Sequence, residues 1–169
     1  MNEEKIKGLV TECKQLQEDS TYNAEVHYIM AGKLSRKAFW CKFIPVIISI
    51  FSAYQLAIGA PNWIAWITLI SSLFLLLSII LEPERISREH LSAAKSFTAL
   101  KHDARSLHES FATFMVEQDF YHDVKRLREK YNLLIQFVPS TGDKAAWELA
   151  AERIKKGVHI ADFRGKDEA

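Results

Sequence analysis

Two histidine–carboxylate neighbours are the residues in this sequence whose types could support catalysis. Lys101-His102-Asp103 and Tyr121-His122-Asp123 each place an imidazole next to a carboxylate, and general acid–base catalysis commonly uses these two groups. Adjacent side chains on a helix, however, point about 100° apart and do not face each other. We therefore interpret both pairs as solvated helix surface.

The remaining reactive residues do not form a recognisable site. None of the six histidines has an i, i+4 partner or lies at metal-binding spacing from a cysteine; they are His27, His90, His102, His108, His122 and His159. The sequence also has no Gly-rich phosphate loop, no G-x-S-x-G motif and no Cys/His nucleophile pair. We therefore predict a protein that is not an enzyme and has no catalytic residues, no metal site and no cofactor.

Polar residues at helical spacing inside an uncharged stretch offer a different chemistry, which is hydrogen bonding within lipid. One face of a first helix would carry Ser49, Ser52, Gln55 and Gly59, and one face of a second would carry Thr68, Ser71 or Ser72, and Ser78. The two stripes could face each other and allow close helix packing. They could also line a polar path once several copies assemble, because two helices alone cannot enclose a channel. The sequence favours packing and leaves both roles open.

The uncharged stretch that holds these residues is long enough to cross a membrane twice. It divides into spans at 43–60 and 63–81, and the turn signal Gly59-Ala60-Pro61-Asn62 lies between them. A bilayer core of about 30 Å needs roughly 20 apolar residues in a helix. We therefore predict a transmembrane hairpin over 43–81. Residues equally distant from the turn should lie at equal depth, which places Gln55 opposite Thr68 and Ser52 opposite Ser71.

Basic flanks predict the orientation of this hairpin. The segment from Val26 to Lys42, just before the first span, contains no acidic residue and carries the basic residues Lys33, Arg36, Lys37 and Lys42. Arg85 and Arg88 follow the second span. Positive flanks stay in the cytoplasm, so both termini should face the cytoplasm of a bacterial cell. We interpret the basic residues as a topology signal in contact with lipid headgroups, and we expect no direct binding of nucleic acid. The expected membrane-interface residues are Lys37, Trp40, Lys42, Trp63, Trp66 and Arg85.

The segments outside the hairpin are also helical. Residues 1–42 form an N-terminal arm, 82–138 a long helix and 139–169 a short helix with a tail. The long helix carries an apolar stripe that we predict to mediate oligomerisation, although packing against the N-terminal arm is the alternative; the stripe includes Phe97, Leu100, Leu107, Phe111 and Phe114. A register shift at 116–119 leaves open whether this segment is one helix or two.

The short C-terminal helix has clear end signals. It should run from about Asp143 to Lys156, with Gly157 as its C-cap. Its small apolar face around Trp147 favours docking on the long helix over lying in the membrane interface. The resulting fold class is an all-α membrane protein, in which a two-helix transmembrane hairpin joins cytoplasmic helices.

This architecture resembles that of the SLATT family, two-span proteins associated with bacterial conflict systems. The resemblance rests on the basic arm, the tight hairpin and a long helix that begins EPERISREHLSAAKSFTALKHDARSLHESF, with a pattern around Leu91, Ala94, Phe97, Leu100 and Arg105. It implies a homo-oligomeric, pore-forming effector in the inner membrane that serves anti-phage defence by abortive infection.

The family resemblance also implies a separate sensor protein. The sensor could be a nucleotide second-messenger synthase, a SLOG protein or a reverse transcriptase. The alternative function is a passive membrane anchor or scaffold that recruits a cytoplasmic partner.

Overall fold

The computed structural model describes residues 3–59, 61 and 63–157, and this part of the chain consists of helices joined by short connections. The helices are α1 (Glu3–Ala57), α2 (Trp63–Ile80), α3 (Pro83–Ser106), a π-helix π1 (Leu107–Phe111), α4 (Glu117–Phe137) and α5 (Lys144–Lys155). The predicted all-α class is therefore confirmed. The predicted turn positions Ala60 and Asn62 and the tail from Val158 lie outside the described residues.

The chain divides into two compact units. Unit 1 contains the residues up to Met30 together with those from His90 onward, and unit 2 contains Ala31–Glu89. Helix α1 is continuous through this division and includes Pro45, so the predicted arm and the predicted first span belong to one helix.

Unit 1 is built around a core that α1, α3 and α4 share. Aromatic rings occupy its centre, where Phe97 and Phe120 are fully buried, and the ring centroids of Phe97 and Tyr131 lie 6.1 Å apart. Other members of this core are Cys13, Leu16, Ala24, Leu100, Ala104, Leu107, Val124 and Leu127. Burial of these side chains supplies most of the favourable free energy of folding in such a unit.

This core changes the interpretation of the predicted oligomerisation stripe. Phe97, Leu100 and Leu107 are covered by α1 and α4 of the same chain, whereas Phe111 and Phe114 remain exposed. The reason is a break in the segment 82–138. The π-helix and the residues 112–116 end α3, and α4 begins after Val116 in an extended conformation. Helix α4 can therefore fold back onto α3, with Lys130 Nζ 3.4 Å from Asp103 Oδ2.

Helix α5 packs against α1, whereas we predicted the long helical segment as its partner. Ala146 and Ala150 pack against Val26 and Ile29, and Arg153 Nη1 lies 2.9 Å from Glu25 Oε1. The sequence signals for its ends are confirmed. The Asp143 carboxylate accepts hydrogen bonds from the backbone N–H groups of residues 145 and 146, and Gly157 has a φ of 78°.

Unit 2 contains the apolar parts of α1 and α2. These two helices are long and apolar enough to cross a membrane. In each of them, only 11% of an apolar stretch of 18 residues is buried. A core helix of a soluble protein would be mostly buried. The exposure of large side chains such as Ile50, Phe51, Leu73 and Ile80 is compatible with a membrane protein.

Candidate functional site: a polar seam between α1 and α2

A stripe of small side chains joins α1 to α2 inside unit 2. On α1 the buried positions recur every seven residues, at Ala31, Ala38, Pro45 and Ser52. On α2 the buried positions are Ser71 and Ser78, again seven apart. A repeat of seven is the spacing of left-handed helix pairs, and small residues allow two membrane helices to approach closely. We call Ser49, Ser52, Ser71 and Ser78 the polar seam.

Hydroxyl groups of the polar seam form hydrogen bonds across the two helices. Ser71 Oγ donates to the Pro45 carbonyl oxygen at 2.8 Å, and Ser49 Oγ donates to Ser71 Oγ at 3.4 Å. Near the other end of unit 2, Ser87 Oγ donates to the Ala31 carbonyl oxygen at 2.9 Å. These bonds satisfy hydroxyl groups that would otherwise be unpaired in an apolar environment.

The register of the polar seam differs from the one expected from the turn. Ser71 bonds to Ser49 and to the Pro45 carbonyl oxygen, which lie about one and two helical turns before the expected Ser52. The other expected pair, Gln55 and Thr68, is half-buried, and Thr68 Oγ1 donates within its own helix to the Ile64 carbonyl oxygen at 3.3 Å. The register of α1 against α2 is therefore the one in which Ser71 bonds to Ser49 and Pro45. It is not the register in which residues equally distant from the turn lie opposite each other.

The other predicted residues of the stripes have local roles. Ser72 is exposed and donates to the Thr68 carbonyl oxygen at 2.9 Å, and the buried Ser78 donates to the Leu75 carbonyl oxygen at 2.7 Å. Gly59 is exposed with a φ of 81°, a conformation that glycine adopts without strain, and it ends the first span. Gly59 therefore acts as a turn residue and not as a packing residue.

The predicted membrane-interface residues lie at the ends of the apolar helices. Trp40, Trp63 and Trp66 are exposed, and the Trp40 ring centroid lies 5.9 Å from that of Phe43. Arg85 pairs with Glu82 at 2.8 Å, and Lys37 is exposed.

Lys42 has an acidic partner at the start of α3. Its Nζ lies 2.8 Å from Glu84 Oε1, and the hydrogen bond and charge of Lys42 lower the pKa of Glu84 below its usual value. Lys42 is therefore one of the basic flanking residues whose charge is balanced by a neighbour.

A buried histidine pair in unit 1 was missed by the sequence reasoning. His27 Nδ1 and His90 Nδ1 lie 2.9 Å apart, and the two residues are 1% and 2% exposed. The His27 ring also stacks on Phe97, with centroids 5.7 Å apart. Burial, and then the neighbouring His90, lower the pKa of His27 to about 4. A signal was present, because His90 lies seven residues before Phe97 on the same apolar face of α3.

The two histidine–carboxylate neighbours lie on exposed helix surface. His102 and His122 are both exposed, and Asp103 forms its ion pair with Lys130 of α4. Within residues 3–59, 61 and 63–157, no group of three or more His, Cys, Asp or Glu side chains is placed to hold a metal ion. His159 lies outside that part of the chain.

The geometry defines the class as an all-helical protein with two helices that could span a membrane. No family model, no curated protein and no solved structure matches this chain.

Proposed function

We propose that this chain is a membrane-permeabilising, oligomeric effector of a bacterial anti-phage system, related to the SLATT family and activated by a separate sensor protein. Unit 2 is then a transmembrane hairpin with both chain termini in the cytoplasm. The observation that carries the proposal is the polar seam, in which Ser71 bonds to Ser49 and to Pro45 between helices whose outer surfaces are apolar.

The polar seam supports permeabilisation because its hydroxyl groups are the polar surface that a water path would need. In the single chain, Ser52, Ser71 and Ser78 are buried between the helices. Separation of α1 from α2 would expose them, and several chains would then be needed to surround a path. Activation in this proposal is therefore the exchange of seam contacts within one chain for contacts between chains.

Self-association can use surface that the core of unit 1 leaves open. Phe111 is half exposed and Phe114 is 89% exposed, next to the break between π1 and α4. Replacement of both by Asp should reduce crosslinked oligomers while helix content and membrane insertion are retained. Equal crosslinking in the double variant would remove these two residues from the oligomer contact.

A disulfide lock across the polar seam tests the proposal. Ser49→Cys and Ser71→Cys are introduced together into a Cys13→Ser, Cys41→Ser background, because the two hydroxyl oxygens lie 3.4 Å apart. Oxidation should abolish the loss of membrane potential caused by expression with the sensor, and reduction should restore it. The two single-cysteine variants under the same oxidant serve as controls.

A second substitution tests the path without changing the seam bonds. Gln55→Leu should abolish toxicity at equal protein level and oligomer size, because an apolar constriction dewets and closes. Thr68→Val is its matched control, since Thr68 bonds within its own helix. If the oxidised lock and Gln55→Leu both remain fully toxic, the polar seam is not the path.

A passive anchor or scaffold is the second candidate function. The observation that favours it is that Ser71 already finds both of its hydrogen-bond partners within one chain. This function predicts that unit 2 can be exchanged for an unrelated two-span anchor without loss of activity. Loss of activity after the exchange would favour the effector.

A further inference from the structure

An apolar groove lies beside the polar seam in unit 2. Its volume is about 510 Å³, within the range of roughly 300–1,000 Å³ that ligand pockets occupy. Its walls carry Trp40, Ile44 and Ile48 of α1 and Ile67, Ile70 and Phe74 of α2. Such walls are almost entirely apolar and fit a hydrocarbon chain; besides Ser71, the polar groups of the lining residues are the Trp40 indole N–H and the Cys41 thiol.

The one hydroxyl group in the groove is already used. Ser71 lines the groove, but its Oγ donates to the Pro45 carbonyl oxygen at 2.8 Å. A ligand with polar groups along its length would lose more hydrogen bonds to water on entry than this lining can replace. The groove therefore selects an acyl chain over a polar small molecule.

A cation stands in line with the groove. Lys37 lies three and four residues before Trp40 and Cys41, which places it on the groove face of α1, one turn beyond the lining residues. Lys37 is exposed and forms no ion pair with any residue that the structure describes. Lys42, by contrast, points about 130° away from the centre of the groove face of α1, and it pairs with Glu84. An anionic headgroup would supply the negatively charged partner that Lys37 lacks among the described residues.

A second copy of the chain fits this groove less well. The α1 segment from Val26 to Lys42 carries four basic residues and no acidic one. A copy packed in the groove would bring a second basic segment to the same membrane depth, and like charges repel. An anionic lipid instead brings the opposite charge and the apolar chain together.

We propose that this groove binds one acyl chain of an anionic phospholipid, with the lipid phosphate against Lys37. The proposal rests on the proposed placement of unit 2 in the membrane, and it does not require that the protein permeabilise the membrane.

Native mass spectrometry of the full chain tests the site. The protein in mild detergent is mixed with equal amounts of phosphatidylglycerol and phosphatidylcholine that have the same acyl chains. The anionic lipid should be retained over the zwitterionic one. Lys37→Gln should lower retention of phosphatidylglycerol about fivefold and leave phosphatidylcholine unchanged, because one basic residue near an anionic lipid is worth about this factor. Ile44→Trp should fill the groove and remove both lipids.

Matched controls isolate the groove. Arg36→Gln removes a neighbouring positive charge on another face of α1, and Leu69→Trp adds the same bulk at an exposed position outside the groove lining. Both should retain lipid as the unaltered protein does. Equal effects of Lys37→Gln and Arg36→Gln, or undiminished lipid in Ile44→Trp, would overturn the proposal.

Two further outcomes separate this proposal from others. If Ile44→Trp converts an oligomer to a monomer while lipid retention is unchanged, a second copy occupies the groove and the lipid proposal is wrong. If the lipid results are as expected but the protein does not depolarise cells, the lipid site stands and the effector function fails.

Discussion

The buried imidazole pair is the most unusual feature of the protein at the scale of residues. At 2.9 Å one Nδ1 must carry the hydrogen and the other must accept it, so the pair is satisfied when both rings are neutral. Protonation of both rings would place two buried positive charges in contact and leave neither Nδ1 able to accept the hydrogen bond. Besides burial, His90 is the cause that lowers the pKa of His27, and the other ring packed on His27 is the uncharged Phe97.

The pair predicts that acid destabilises unit 1. The pKa of His27 falls from 6.5 in the unfolded chain to about 4 in the folded one. The unfolded chain therefore binds the extra proton first, and the stability is fully present above pH 6.5 and is lost as the pH falls toward 4. The loss should reach at most about 3 kcal/mol. Urea unfolding of the full chain in detergent, followed by circular dichroism at pH 7 and at pH 4.5, measures it.

Two substitutions make this pH test specific. His27→Asn keeps a hydrogen-bonding group near the position of Nδ1 but does not titrate, so its stability should change less between the two pH values. His102→Asn removes an exposed histidine and should change as the unaltered protein does. An undiminished pH dependence in His27→Asn would show that other groups titrate in this range.

The two cysteines should differ strongly in reactivity. Cys13 is fully buried, and burial, with a smaller contribution from Glu12, raises its pKa to about 11, so it holds almost no reactive thiolate at neutral pH. Cys41 is partly exposed at the groove of unit 2. Maleimide should therefore label the Cys13→Ser variant in detergent and leave the Cys41→Ser variant unlabelled until urea is added. Rapid labelling of Cys41→Ser without urea would place Cys13 outside the core.

At the scale of elements, the break between π1 and α4 has the largest consequence. It allows α4 to return along α3, and the two helices with α1 then enclose the aromatic side chains of one stripe. Polar contacts between the helices follow the same arrangement. Arg128 of α4 forms an ion pair with Glu12 of α1, and His108 Nε2 of π1 lies 2.7 Å from Gln17 Oε1 of α1. A continuous helix over 82–138 would leave the same stripe uncovered.

Two phenylalanines from the predicted stripe should therefore differ in their effect on stability. Phe97→Ala removes a fully buried ring and should lower the free energy of unfolding by about 3–5 kcal/mol. Phe114→Ala removes an exposed ring and should change it by less than about 0.5 kcal/mol. Urea unfolding of both variants decides the comparison. Similar losses in the two variants would contradict the core described here.

At the scale of the whole molecule, orientation in the membrane is the property that the proposed function most needs. We expect Pro61 to lie outside the cell membrane and both ends of the chain to lie in the cytoplasm, because the flanks of the spans are basic and the turn is uncharged. A cysteine placed at Pro61 in a cysteine-free background should react with a membrane-impermeant maleimide in intact cells.

Cysteines at the two ends provide the control for orientation. Replacements at Lys7 and Lys155 should react only after the membrane is opened, since both residues lie in unit 1. Labelling of either cysteine in intact cells, together with an unlabelled cysteine at position 61, would show that the topology is the reverse of the expected one. The basis for a cytoplasmic sensor would then be lost.

The sequence by itself determined the features that depend on neighbours along the chain. Helix periodicity and capping act over a few residues, so features that depend on them can be read from the sequence. These features are the length and hydropathy of the two apolar helices, the end signals Asp143 and Gly157, and the register shift before α4. The stripe through Phe97 was likewise visible as a pattern.

The tertiary structure alone decided which faces meet. It covered Phe97 and Leu107 within the chain, brought His27 to His90 across 63 positions, and paired Ser71 with Ser49. These outcomes depend on the rotation and offset of helices that are distant in sequence. Packing of whole faces sets that rotation and offset, and no local pattern encodes them.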